Sequence, residues 1–163
     1  MSYLNQKTIK NNISFTGIGL HSGKKVKVTL KSSEPDTGIV FHRVDLKNKN
    51  LIYPNFKNVS NTSLNTTVSN EFGIKVSTIE HLMGAIFGLG IDNLLIEIDA
   101  EEVPILDGSS KNFVEAIELA DLEISDQPIK IITIDKEVVY EEGGKSISFK
   151  PSKISLEIDF HFC

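Results

Sequence analysis

Apolar and polar positions alternate with a period of two from Thr8 to Phe15, from Val26 to Leu30 and from Ile154 to Phe162. A strand puts successive side chains on opposite faces, so each stretch predicts a strand with one buried face. Ile79, Leu82, Met83, Ile86 and Phe87 instead fall at i, i+3, i+4, i+7 and i+8, the spacing of one apolar helix face. Gly88-Leu89-Gly90-Ile91-Asp92-Asn93 supplies residues that end a helix, and Leu94 to Asp99 follows as a buried strand. Pro104 to Ser110 then forms a turn into a second helix on which Phe113, Ala116, Ile117 and Ala120 share a face. Gly38 to Arg43 reads as a short strand, Asp45 to Asn50 as a loop, and Val59 to Asn70 as turn and edge strand.

Strands with two helices in this order predict an α+β fold, a two-layer sandwich of a β-sheet with two helices. At Ser125-Asp126-Gln127-Pro128 the helical pattern stops, and β-type segments begin at Ile129 to Ile134, Glu137 to Tyr140 and Ser146 to Phe149, the last two across Gly143-Gly144. This places a first domain over residues 1–126 and the beginning of a second over 127–163. Roughly 35 residues of strand without a helix are too few for an independent core. The expectation is a chain that stops inside its second domain.

Composition narrows the function classes. Of 163 residues, 40% are hydrophobic and 24% charged, which are globular values, and the net charge of -5 offers no basic footprint for nucleic acid. Lys24, Lys25, Lys27 and Lys31 read as the solvated side of a strand. The N-terminus lacks the apolar core of a signal peptide, and no segment approaches the ~18 apolar residues of a membrane span, so a cytoplasmic protein without a transmembrane segment is expected. The single cysteine, Cys163, excludes an internal disulfide and a Cys-rich zinc module. Any bound metal must be held by His, Asp or Glu.

Ser77-Thr78-Ile79-Glu80-His81 is the stretch richest in chemistry. An adjacent carboxylate and imidazole at a helix start can serve one metal-bound water from two roles. The same residues fit a structural account. Ser77 and Glu80 have the S-x-x-E spacing of a capping box, in which Glu80 would reach back to the Ser77 N–H. His81 has no second ligand at i+3 or i+4, and a catalytic zinc needs about three protein ligands plus an open position. Gly17-Ile18-Gly19-Leu20-His21-Ser22-Gly23-Lys24 misses the phosphate-loop spacing and leads into a strand rather than a helix. It reads as a bend between strands, with His21 either a loop residue or a site residue. His42 reads as an ordinary strand residue, and Asp99, Glu101, Glu102 and Asp107 as a solvated acidic turn, with Asp107-Gly108-Ser109 capping the second helix.

Four segments in order and spacing, Thr16 to Lys24, Ser77 to Ala85, Gly88 to Asn93 and Glu102 to Ser109, closely resemble the UDP-3-O-acyl-N-acetylglucosamine deacetylases, zinc amidases of lipid A biosynthesis in Gram-negative bacteria. The resemblance runs from about Gln6 to Phe160. It implies a protein of two similar α+β domains with the site between them, Zn2+ as cofactor and a nucleotide-sugar lipid precursor as the small-molecule partner. His81 matches the family's first-domain zinc ligand, Glu80 matches its general base, and His21 matches a histidine near the cleft. The family's other zinc ligands, in an H-K-x-x-D motif, and a later general-acid histidine match no position here. The expected function is the N-terminal part of such a deacetylase; the alternative is a shortened, non-catalytic binding or interaction module of the same family.

Overall fold

The structure, a computed structural model, describes residues 4–152. The expected strand from Ile154 to Phe162 lies outside the described residues. The chain forms two compact units, Met1–Ile129 and Lys130–Cys163.

In the first unit the chain runs through β1 (Asn5–Ile9), β2 (Ile13–Ile18), β3 (Lys25–Lys31), β4 (Ile39–Arg43) and β5 (Leu51–Ile52). A 3₁₀ turn at Phe56–Asn58 leads to β6 (Val59–Asn61), β7 (Thr67–Ser69) and β8 (Lys75–Val76). Then come α1 (Glu80–Gly88), β9 (Leu94–Ile98), α2 (Lys111–Leu119) and β10 (Leu122–Pro128). The main sheet has five strands in the order β2-β3-β9-β4-β5. All its pairs are antiparallel except β4 with β9, which run parallel with Phe41 opposite Ile96.

The alternation read from the sequence decides which face of this sheet is covered. Val26, Val28 and Leu30 of β3 and Leu94, Ile96 and Ile98 of β9 are buried, while Lys25 and Lys27 lie exposed. Against the apolar face pack Leu82, Ala85 and Ile86 of α1 and Phe113 and Ile117 of α2. Phe15 on β2 meets Phe113 edge-on, with ring centroids 5.4 Å apart. Each such Leu, Ile or Phe contributes about 1.5–3 kcal/mol on full burial, so this layer is the main source of stability. The result is the expected α+β sandwich.

The three-stranded sheet β6-β7-β8 braces one flank. Arg43 at the end of β4 ties it down: the guanidinium donates from Nη1 to the Lys75 carbonyl at 2.8 Å and grips both oxygens of Asp45 at 2.8 and 2.6 Å. The Arg43 hydrogen bond holds the Asp45 carboxyl below the usual carboxylate range.

Two expectations need correction. Thr8 to Phe15 is not one strand, because the chain turns at Lys10 and Asn11, whose N–H groups donate to Asp121 and Ala120 carbonyls. No strand forms over Ile129 to Ile134; the strand is Leu122–Pro128, which pairs antiparallel with β1. Pairing with the first strand fixes these residues, and Ile131 and Ile132 are exposed.

In the second unit, β11 (Val138–Glu142) and β12 (Lys145–Phe149) form an antiparallel hairpin. Gly143 and Gly144 have φ of +55° and +77°, as a two-residue hairpin turn of the I′ kind requires.

Candidate functional site

Glu80 and His81 are the first two residues of α1, and both are half-buried. The capping box predicted for Ser77 and Glu80 does not form. The helix N-cap is Ile79, with no side-chain cap. Ser77 turns away, its N–H and hydroxyl both donating to the Glu101 carbonyl at 2.9 and 3.1 Å. The reason is Thr78, whose φ of +55° puts a buried β-branched residue in the left-handed region and redirects the chain between Ser77 and the helix. Such a conformation costs about 1–3 kcal/mol and persists only where surrounding contacts enforce it.

Glu80 is instead held from the flanking sheet. Its Oε2 accepts the Thr66 N–H at 3.0 Å, just before β7, and the Thr66 carbonyl accepts the Ile79 N–H at 3.4 Å. Oε1 accepts no hydrogen bond among the described residues, nor does the His81 imidazole make one. The His81 backbone is fixed from the other side, since the Ser110 hydroxyl donates to its carbonyl at 2.8 Å. One carboxylate oxygen and one imidazole are thus available at the start of a helix clamped on both flanks.

Thr78 is enforced by Glu102, a residue the sequence reading assigned to a solvated turn. Glu102 is 1% exposed. Its segment runs beside Ser77 as a parallel bridge, with the Val103 N–H donating to the Ser77 carbonyl at 3.0 Å. Oε1 accepts the Thr78 hydroxyl at 3.0 Å and the His21 N–H at 2.9 Å, and Oε2 accepts the Ser22 N–H at 2.8 Å. Burial pushes the Glu102 pKa up, but the Ser22 hydroxyl, the His21 and Ser22 amides and the Thr78 hydroxyl outweigh it and hold the carboxyl below its ordinary value.

The Gly17–Gly23 bend is shaped for this carboxylate rather than for phosphate. A Cβ on Gly19 would stand 2.5 Å from Glu102 Oε2 and against the Ser22 hydroxyl, and one on Gly17 would stand 2.7 Å from Pro104 Cβ. His21 is exposed on this bend. The other histidine considered, His42, lies half-buried on β4 with Nδ1 3.7 Å from Glu97, away from this cluster. Asp107 shapes the turn before α2, its Oδ1 accepting the Ser109 N–H and hydroxyl while Ser109 Oγ accepts the Lys111 N–H at 3.1 Å; the helix N-cap is Ser110, which has no side-chain cap bond.

Zinc chemistry asks for about three protein donors and an open position. His81 offers one unengaged imidazole, and no group of three His, Cys, Asp or Glu that could hold a metal ion lies together among the described residues. Among the described residues there is one candidate donor here and no zinc centre.

Two helices packed on one face of a sheet, with a carboxylate and an imidazole opening the first of them, define an α+β domain with one candidate site at the start of α1. The chain belongs to the UDP-3-O-acyl N-acetylglycosamine deacetylase family, whose model matches residues 6–163. It is 49% identical over 160 residues to the UDP-3-O-acyl-N-acetylglucosamine deacetylase of Pseudomonas entomophila, covering 96% of this chain and 52% of that protein. The enzymes of the same name from Teredinibacter turnerae and Chromohalobacter salexigens are each 47% identical over the same length and coverage. The chain spans about half the length of the curated relatives it matches.

Proposed function

We propose that this chain is the first part of a zinc-dependent deacetylase that removes the N-acetyl group from a UDP-3-O-acyl-N-acetylglucosamine in lipid A biosynthesis, with Glu80 as general base and His81 as one zinc ligand. The observation that carries the reading is the start of α1, where Glu80 is braced through Oε2 by Thr66 and keeps Oε1 open, next to an unengaged imidazole. Zinc, when bound, would lower the pKa of a water toward ~7 and polarise the amide carbonyl.

Glu80 takes a proton from the attacking water, whose oxygen bonds to the acetamido carbon. The C–N bond then breaks, and the nitrogen leaves as an amine with a returned proton. Thr66 keeps the Glu80 carboxylate from swinging away from that water, which is orientation rather than chemistry. The partner is a nucleotide-sugar lipid precursor, and the proposed compartment is the cytoplasm. Among the described residues no helix is long and apolar enough to cross a membrane.

The test is Glu80→Ala in a full-length enzyme that carries this chain. Turnover should fall about 10²- to 10⁴-fold, the usual contribution of a general base, with zinc content retained. His81→Ala in the same protein should lower the zinc content measured by elemental analysis. Near-normal turnover of Glu80→Ala would leave Glu80 with its bracing bond to Thr66 and nothing more.

A further inference from the structure

Glu102, 1% exposed, is the most buried charged residue among those described, and the reaction above does not use it. Three hydrogen-bond donors from two distant segments converge on one carboxylate, and no cation approaches within ion-pair distance among the described residues. A buried charge without a counter-ion is costly unless hydrogen bonds satisfy it, and a well-packed apolar residue would serve stability as well. What a carboxylate supplies here is geometry. Its Oε1 is shared by the His21 N–H and the Thr78 hydroxyl, so one atom fixes the His21 bend against the turn that launches Glu80 and His81. The fit is tight on the other side as well, because a Cβ at position 19 would stand 2.5 Å from Oε2 and force a shift.

We propose that Glu102 is a positioning residue of the Glu80–His81 site: its carboxylate joins the His21 bend to the left-handed Thr78 turn and sets His21 beside the start of α1. The proposal rests on the reading of Glu80 and His81 above, and it makes His21 a working member of that site. Glutamine at 102 would keep the shape but turn an amide N–H₂ toward donors, leaving at least one of them unpaired.

In a full-length enzyme that carries this chain, Glu102→Gln should lower kcat roughly 10- to 100-fold, the scale of a small misplacement, with KM within about threefold. His21→Ala should lower kcat similarly, and adding Glu102→Gln to it should cost less than about twofold more, because both changes remove one unit. Hydrogen exchange gives a readout independent of turnover: the His21 and Ser22 amides should exchange about 10-fold faster in Glu102→Gln, while Val28 and Ile96 keep their protection. If Glu102→Gln fails to fold, Thr78→Val and Thr78→Ser replace it; loss of the hydroxyl should lower kcat and the serine should restore it. Parent-level kcat in Glu102→Gln, full activity of His21→Ala, equal penalties of Glu102→Gln in both backgrounds, or an inactive-as-valine Thr78→Ser would each overturn the proposal. Glu80→Ala in the same assay reports separately on the base, so loss of that assignment is distinguishable from loss of this one.

Discussion

The loop entering α2 is closed mainly by its own residues, with one tie from its N-cap Ser110 to His81, whereas the turn entering α1 is held from elsewhere. Asp107, Ser109 and Lys111 bond one another across two residues at a time. At α1 the corresponding partners are remote: Thr66 is 14 residues from Glu80, Glu102 is 24 from Thr78, and His21 is 81 from Glu102. Both helices are nine residues long and bury their apolar faces in one core. The contrast shows what each start is for. The start of α2 draws most of its hydrogen bonds from its own sequence, while the start that presents Glu80 and His81 is assembled from three separate segments. Its geometry is therefore available only once the whole layer has packed.

The most forceful way to break the contrast is at Gly19. Gly19→Ala drives a methyl toward the Glu102 carboxylate and the Ser22 hydroxyl, and the bend must shift to accept it. The expected cost is about 1–3 kcal/mol in chemical denaturation. The remote start should loosen with it, seen as faster exchange at His21 and Ser22, while the Lys111 amide is unaffected. Unchanged stability would mean that the bend is not tight in solution. Ser109→Ala probes the local start and should have a smaller effect, about 1 kcal/mol, as for loss of a capping hydroxyl. Exchange at Thr66, His21 and Ser22 should stay at the parent rate. Altered exchange there would show that the two starts are coupled and erase the contrast.

The gentlest probe is acid. Glu102 is held below its ordinary value of 4.5, so it ionises more readily folded than unfolded. Its contribution is complete above 4.5 and is lost as pH falls through the lower folded value. The denaturation midpoint of the parent should decline below that point, and the decline should be shallower in Glu102→Gln. An equally steep decline in both proteins would assign the acid sensitivity to other carboxylates, Asp45 and Asp107 first.

The same division explains what could be read in advance. The α1 face, β3, β9 and the α2 face follow from local periodicity, because one buried face dictates the spacing along the chain. The turn at Asp107 to Ser109 was legible because its hydrogen bonds are local too. Ser77 and Glu80 misled because their spacing satisfies a local rule that the left-handed Thr78 overrides. Glu102 was illegible as a buried group: its neighbours Glu101 and Asp99 are charged too, and its donors come from a bend about eighty positions earlier, a separation no window covers. Gly19 carried a faint signal, since a glycine within a strand-to-strand bend can mark close backbone approach. Leu122–Pro128 became a strand through its partner, with Leu122 and Ile124 both exposed and no buried face to announce it.

That last strand has a bearing on the order of events during synthesis. β1 begins at Asn5, near the front of the chain, and its hydrogen-bonding partner is completed only at Pro128. At bacterial-to-eukaryotic elongation rates of about 5–20 residues per second, the interval is roughly 6–25 s. For all of that time β1 holds out an open strand edge whose proper mate has not yet been translated, so a strand made early is secured late.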